Sequence, residues 1–157
     1  MDENATTPMP VEPTQEPTVR AATGPAAISP SGSAQKKILL VEDEEALANV
    51  YLTRLQAEGF DVKWVPNGED ALSAALSLGP DLIVLDAMMP KVNGFDVLDI
   101  LRNTPQTTNV RIIMLTALSQ PSDVERAKSM GVDDYLVKSQ VVIADVVQKI
   151  KDHLGVA

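Results

Sequence analysis

The chain holds 157 residues, 45% of them hydrophobic and 22% charged, enough for one domain with a continuous core. Its 22 acidic residues against 13 basic ones leave a formal charge of -9, which argues against a surface that tracks nucleic-acid phosphates. The lack of cysteine excludes disulfides, thiol nucleophiles and cysteine metal sites, and the single histidine, His153, leaves almost nothing for histidine catalysis.

In chain order, residues 1–35 come first, with Pro8, Pro10, Pro13, Pro17, Pro25 and Pro30 set among Thr, Ser, Ala and Glu. So few large apolar side chains cannot offset the entropy of ordering, and a disordered Pro/Thr/Ala-rich tail is expected. The opening MDENATTPMP has no apolar signal core, and nothing in the chain approaches the ~20 apolar residues of a membrane helix, so a cytoplasmic protein without membrane insertion is expected. From Lys36 onward, short apolar runs alternate with longer stretches of helical period. The predicted strands are 38–41, 60–65, 82–85, 110–115 and 134–137; the predicted helices lie near 44–58, 67–78, 94–103, 121–130 and 140–154. Asn67 suits an N-cap, Pro121 a first helical turn, and Gly59, Gly79 and Gly131 suit helix C-termini.

The pattern is (βα)5, a parallel α/β sheet. ILLV, LIVL and IIML are apolar without alternation, as central strands covered on both faces must be, whereas FDVKWV alternates and reads as an edge. Right-handed crossovers then favour a doubly wound, flavodoxin-like sheet of order 2-1-3-4-5, with its switch point between strands one and three. Trp64, on the predicted edge strand, is not assigned to a site.

Polar residues follow the strands at one end: Glu42 and Asp43 after the first, Asp86 after the third, Thr116 at the fourth and Lys138 after the fifth. The fold would gather them at the carboxyl edge of the sheet, with Asp43 and Asp86 facing across the switch point. Carboxylates that close need a compensating cation, and a hard ion with oxygen ligands fits best, which points to Mg2+. Lys138 and Thr116 add a positive charge and a hydroxyl, a cradle suited to a phosphoryl group on the Asp86 carboxylate. Glu44 and Glu45 are read as first-turn acids favoured by the helix dipole, worth roughly 0.3–1 kcal/mol each.

These residues resemble the receiver domain of two-component response regulators, the fold of the chemotaxis protein CheY. The resemblance rests on KILLVEDEE, DLIVLDAMMPKVNG, IIMLTA and DDYLVKS, and it covers residues 36–154. It places a receiver domain over 36–157. It implies that Asp86 is the phosphoacceptor, that Asp43 ligates Mg2+ beside Asp86 and the backbone carbonyl of Met88, and that Glu42 acts through a bound water. Lys138 and Thr116 would contact phosphoryl oxygens, small Ala117 would leave room for the group, and Tyr135 would turn inward as Thr116 moves.

The implied role is a signalling switch and not an enzyme in the ordinary sense, since the domain promotes only its own phosphoryl transfer and dephosphorylation. Its phosphodonor would be a sensor histidine kinase or phosphotransfer protein. Because the chain stops at Ala157, output is expected through protein binding, with no nucleic-acid partner and no output domain. The family also implies a monomer or a phosphorylation-dependent dimer. One departure is Ser139, where receivers commonly carry a cis proline; a trans Lys138–Ser139 bond is expected, with Ser139 capping the last helix. Its alternative reading is a receiver-like interaction module independent of phosphorylation. An aspartate-nucleophile phosphatase would want a second Asp where Met88 stands, and a nucleotide binder would not place EDEE after strand one. His153 is read as a solvated side chain near the C-terminus.

Overall fold

A computed structural model describes residues 35–157. The expected tail over 1–35 therefore lies, but for Gln35, outside the described residues. The strands are β1 (Lys37–Val41), β2 (Asp61–Val65), β3 (Leu82–Leu85), β4 (Arg111–Thr116) and β5 (Asp134–Val137). Between and after them run α1 (Glu45–Ala57), α2 (Gly68–Leu78), α3 (Gly94–Arg102), α4 (Pro121–Ser129) and α5 (Ile143–Leu154). All pairings are parallel, in the order β2-β1-β3-β4-β5, as the apolar runs foretell.

Alternation along the strands divides the core into two layers. Leu39, Val41, Ile83, Leu85, Ile112 and Met114 pack against α2, α3 and the single buried residue of α4, Ala127. Ile38, Leu40, Val84, Ile113 and Leu115 face α1 and α5. Central strands thus bury both faces, while β2 carries exposed Asp61 and Lys63 as an edge should.

The helix boundaries follow local chemistry. Asn67 and Asn93 accept N–H bonds from Asp70 and Asp96, closing the first turns of α2 and α3, a cap worth ~1 kcal/mol each. Pro121 opens α4, and Gly79 ends α2 in a left-handed conformation, φ 58°. The last helix differs from expectation. Lys138–Gln140 form a single 3-10 turn, and α5 begins only at Ile143 with Val142 at the N-cap position. Ser139 therefore does not cap it; the Asp145 carboxylate does so from inside, accepting the Val142 N–H at 3.0 Å. As expected, the Lys138–Ser139 bond is trans, and no described peptide bond is cis.

At the amino edge of the sheet, Arg102 closes a clamp. Its guanidinium donates to the carbonyls of Gly131 (2.9 Å), Thr108 (3.2 Å) and Val110 (2.7 Å) and to the Asp133 carboxylate (2.9 Å). It joins the end of α3 to the turn between α4 and β5. Gly131 has φ +92°, and a Cβ there would press within 3.3 Å of the Arg102 Nε. His153 is not free in solvent either: its Nε2 lies 3.0 Å from the Asp134 carboxylate, which pins the end of α5 to the start of β5. Among the described residues, no helix is long and apolar enough to cross a membrane.

Candidate functional site

Each site residue stands where a strand stops. β1 runs apolar to Val41, and the next two residues, buried Glu42 and exposed Asp43, lie beyond its last sheet partner. β3 ends at Leu85, so Asp86 follows directly and is 4% exposed. The chain then turns back sharply: Gly94 N–H donates to the Ala87 carbonyl at 2.9 Å, and a Cβ on Gly94 would sit 2.1 Å from the Asp86 carbonyl oxygen. Only glycine fits there. Lys91, in the same loop, takes the left-handed conformation at φ 71°.

Oxygens of Glu42, Asp43 and Asp86 all lie within 4.8 Å of one another. Lys138, delivered by the end of β5, bridges two of them: its Nζ donates to Glu42 Oε1 at 2.8 Å and to Asp86 Oδ2 at 2.9 Å. The remaining oxygens are also engaged, Glu42 Oε2 by the Glu44 N–H at 3.2 Å and Asp86 Oδ1 by the Met88 N–H at 3.0 Å. Burial pushes the Glu42 carboxyl above its usual range, against the opposing pull of Lys138. Burial also works against charge on Lys138, but hydrogen bonds and charge from Glu42 and Asp86 outweigh it and leave its pKa raised. The lysine is thus held protonated between two acids.

One cation among three carboxylates leaves excess negative charge. All the donors are hard oxygens, so the set fits Mg2+ or a similar divalent ion. The cluster opens into a cavity of ≈ 930 Å³, walled by Met88, Met89, Phe95, Leu118, Asp123 and Arg126 besides the acids. Arg126 lies over the Phe95 ring, 4.2 Å from its centroid.

The remaining predicted residues, Thr116, Ala117 and Tyr135, stand at the end of β4, in the loop after it and on β5. Thr116 is fully buried, and its hydroxyl accepts the Leu118 N–H at 3.3 Å. Ala117 is exposed in the loop after β4. Tyr135 donates its hydroxyl to the Leu118 carbonyl at 2.9 Å, and burial raises its phenol pKa. Thr116 and Tyr135 both hold Leu118 of the β4–α4 loop, and Tyr135 is near enough to Asp86 to feel its charge.

Sequence reasoning missed Trp64, whose indole N–H donates to the Glu42 carbonyl at 2.7 Å. It also missed Arg126 and Asp123, which α4 brings to the cavity wall. Only their place on a helix after the fourth strand could have signalled them.

The model of the response regulator receiver domain matches residues 38–151. The chain belongs to that family. Among relatives, the phosphate regulon transcriptional regulatory protein PhoB of Rhizobium meliloti is 43% identical over 102 residues, 65% of this chain and 45% of that protein. The DNA-binding dual master transcriptional regulator RpaA of Synechocystis is 39% identical over 102 residues, 65% of this chain and 42% of that protein. The chain spans less than half the length of both relatives. Among solved structures, chemotaxis protein CheY4 of Vibrio cholerae matches with TM-score 0.71 at 27% identity, covering 76% of this chain and 98% of that one. The receiver family is one of two-component signalling, and this receiver domain has the fold of CheY.

Proposed function

We propose that this receiver domain, spanning 36–157, is a phosphorylation-driven switch whose acceptor is Asp86. The observation that carries the reading is the bridging of Glu42 and Asp86 by Lys138, beside Asp43, at the carboxyl edge of the sheet. The phosphodonor is a phosphohistidine on a sensor kinase or phosphotransfer protein, or a small acyl phosphate. In the transfer, an Asp86 carboxylate oxygen attacks phosphorus while the bond to the donor breaks: phosphorus–nitrogen in a phosphohistidine, with the electron pair leaving on the imidazole, or phosphorus–oxygen in an acyl phosphate, with the pair leaving on the released carboxylate. Lys138, already at hydrogen-bond distance, follows the oxygens of the incoming group and limits the charge that builds there. The Met88 N–H orients the carboxylate through Oδ1.

Mg2+ would be held by Asp43, Asp86 and the Met88 carbonyl, with Glu42 acting through water, and would neutralise the phosphoryl oxygens as they approach the acids. The phosphorylated aspartate draws Thr116 toward it, which takes the acceptor from Leu118 N–H and loosens the loop that Tyr135 also holds. The outlet is the face of α4, β5 and α5, read by a protein partner, and the proposed setting is the cytoplasm.

The test is the intact mass of the chain after incubation with Mg2+ and acetyl phosphate, beside Asp86→Asn and a chelator control. One added phosphoryl group, present only in the parent with metal, is the expected result. Addition to the Asp86→Asn variant would move the acceptor elsewhere; none from either acetyl phosphate or a phosphorylated kinase would favour the phosphorylation-independent module.

A further inference from the structure

Trp64 has no part in the chemistry above, yet it reaches the site from the edge strand. In the ladder it stands opposite Leu40, and its ring packs on the layer facing α1 and α5. From there the indole N–H passes beyond the end of β1 to the Glu42 carbonyl, 2.7 Å away. The Glu42 N–H in turn donates to the Val65 carbonyl at 3.2 Å. Two consecutive residues of β2 therefore hold both backbone polar groups of Glu42.

The Glu42 carbonyl belongs to the peptide plane that joins Glu42 to Asp43. Because that plane is rigid, fixing its oxygen fixes the direction from which the Asp43 backbone departs. Among the described residues no side-chain hydrogen bond or ion pair orients Asp43, which is exposed, so its aim depends on the backbone alone. Glu42 and Asp86, by contrast, are held through their carboxylates. We infer that Trp64 is a positioning residue of the divalent-cation site: its indole N–H aligns the Glu42–Asp43 peptide and so sets the affinity with which Asp43 takes the ion. A phenylalanine would cover the same apolar ground without a donor, and an indole nitrogen only donates, which is the match a carbonyl needs. This inference rests on the Mg2+ reading of the acidic cluster.

Trp64 is the only tryptophan, so supplying the isosteric amino acid β-(3-benzothienyl)alanine during expression exchanges the N–H for sulfur at one site. Mg2+ binding to the full chain is measured by calorimetry for the parent, for that isostere and for Trp64→Phe, and Trp64 emission is followed during Mg2+ addition to the parent and to Asp43→Asn. Both replacements should bind Mg2+ roughly fivefold more weakly, the worth of about one neutral hydrogen bond. The parent's emission should change with Mg2+, and that of Asp43→Asn should not. Unchanged affinity in both replacements, weakening in only one, or an emission that ignores Mg2+ in a parent that binds it would overturn the role of Trp64 and leave the metal site standing. A parent that binds no Mg2+ would overturn the metal reading itself, and the inference with it.

Discussion

Lys138 is protonated between two acids that are almost wholly out of water, with Glu42 and Asp86 side chains 4% and 5% exposed. Removing one partner of such a group leaves buried charge uncompensated. Lys138→Met should lower the metal-free stability by about 3 kcal/mol, and part of the loss should return when Mg2+ is added, since a second cation can then serve the same carboxylates. Urea titrations with and without Mg2+ measure both effects; a loss that Mg2+ does not reduce would separate the lysine from the metal's acids. At this scale the sequence was informative wherever a charged side chain closed an apolar run, as Asp86 does after LIVL and Lys138 after DYLV. It was silent about Trp64, because the acceptor there is a backbone carbonyl, which every residue carries. It also hid the pairing of His153 with Asp134, since nothing in their spacing predicts that contact.

Elements hold one another through a few polar links as well as through the core. Glu58, at the end of α1, accepts from Lys151 of α5 at 2.7 Å and from Arg54 at 3.0 Å. The hydrogen bond to Lys151, then that to Arg54, keeps its carboxyl below the ordinary value of 4.5. A folded-state pKa lower than the unfolded one gives stability that is present above the unfolded value and lost as pH falls through the folded one. Glu58→Gln should therefore melt below the parent at neutral pH, and the two melting temperatures should converge on acidification below pH 4.5. A gap that persists in acid would assign the effect to packing instead. Element type was legible from periodicity, whereas the start of α5 was not. The stretch KSQVV carries no cap residue at the position that became Val142, and the cap comes from Asp145 within the helix, so the eye extends α5 back to residue 140.

The described residues form two apolar layers on one sheet, and the strand order was readable because the three central strands lack the alternation of β2. Since both layers share the same strands, a cavity in either should weaken the entire unit. Ile113→Ala, at a fully buried site of β4, should cost about 2–5 kcal/mol. In urea this should appear as an earlier midpoint with an unchanged slope, in one transition seen alike by Trp64 emission and by helix circular dichroism. Two separated transitions would mean that the layers unfold independently.

The Arg102 clamp grips the far end of α4 through Gly131, close to the helix's single buried residue, Ala127, while the near end has no side-chain cap, buries no residue fully and leads back to a loop tied by two bonds at Leu118. That is the arrangement of a cantilever, anchored at one end and loaded at the other. If the proposed switch released the bonds at Leu118, such a beam would swing about its anchorage instead of sliding. The largest travel then falls on its first turn, at Pro121 and Ser122, and the smallest at Ser129, so a partner gripping the first turn would feel the stroke most.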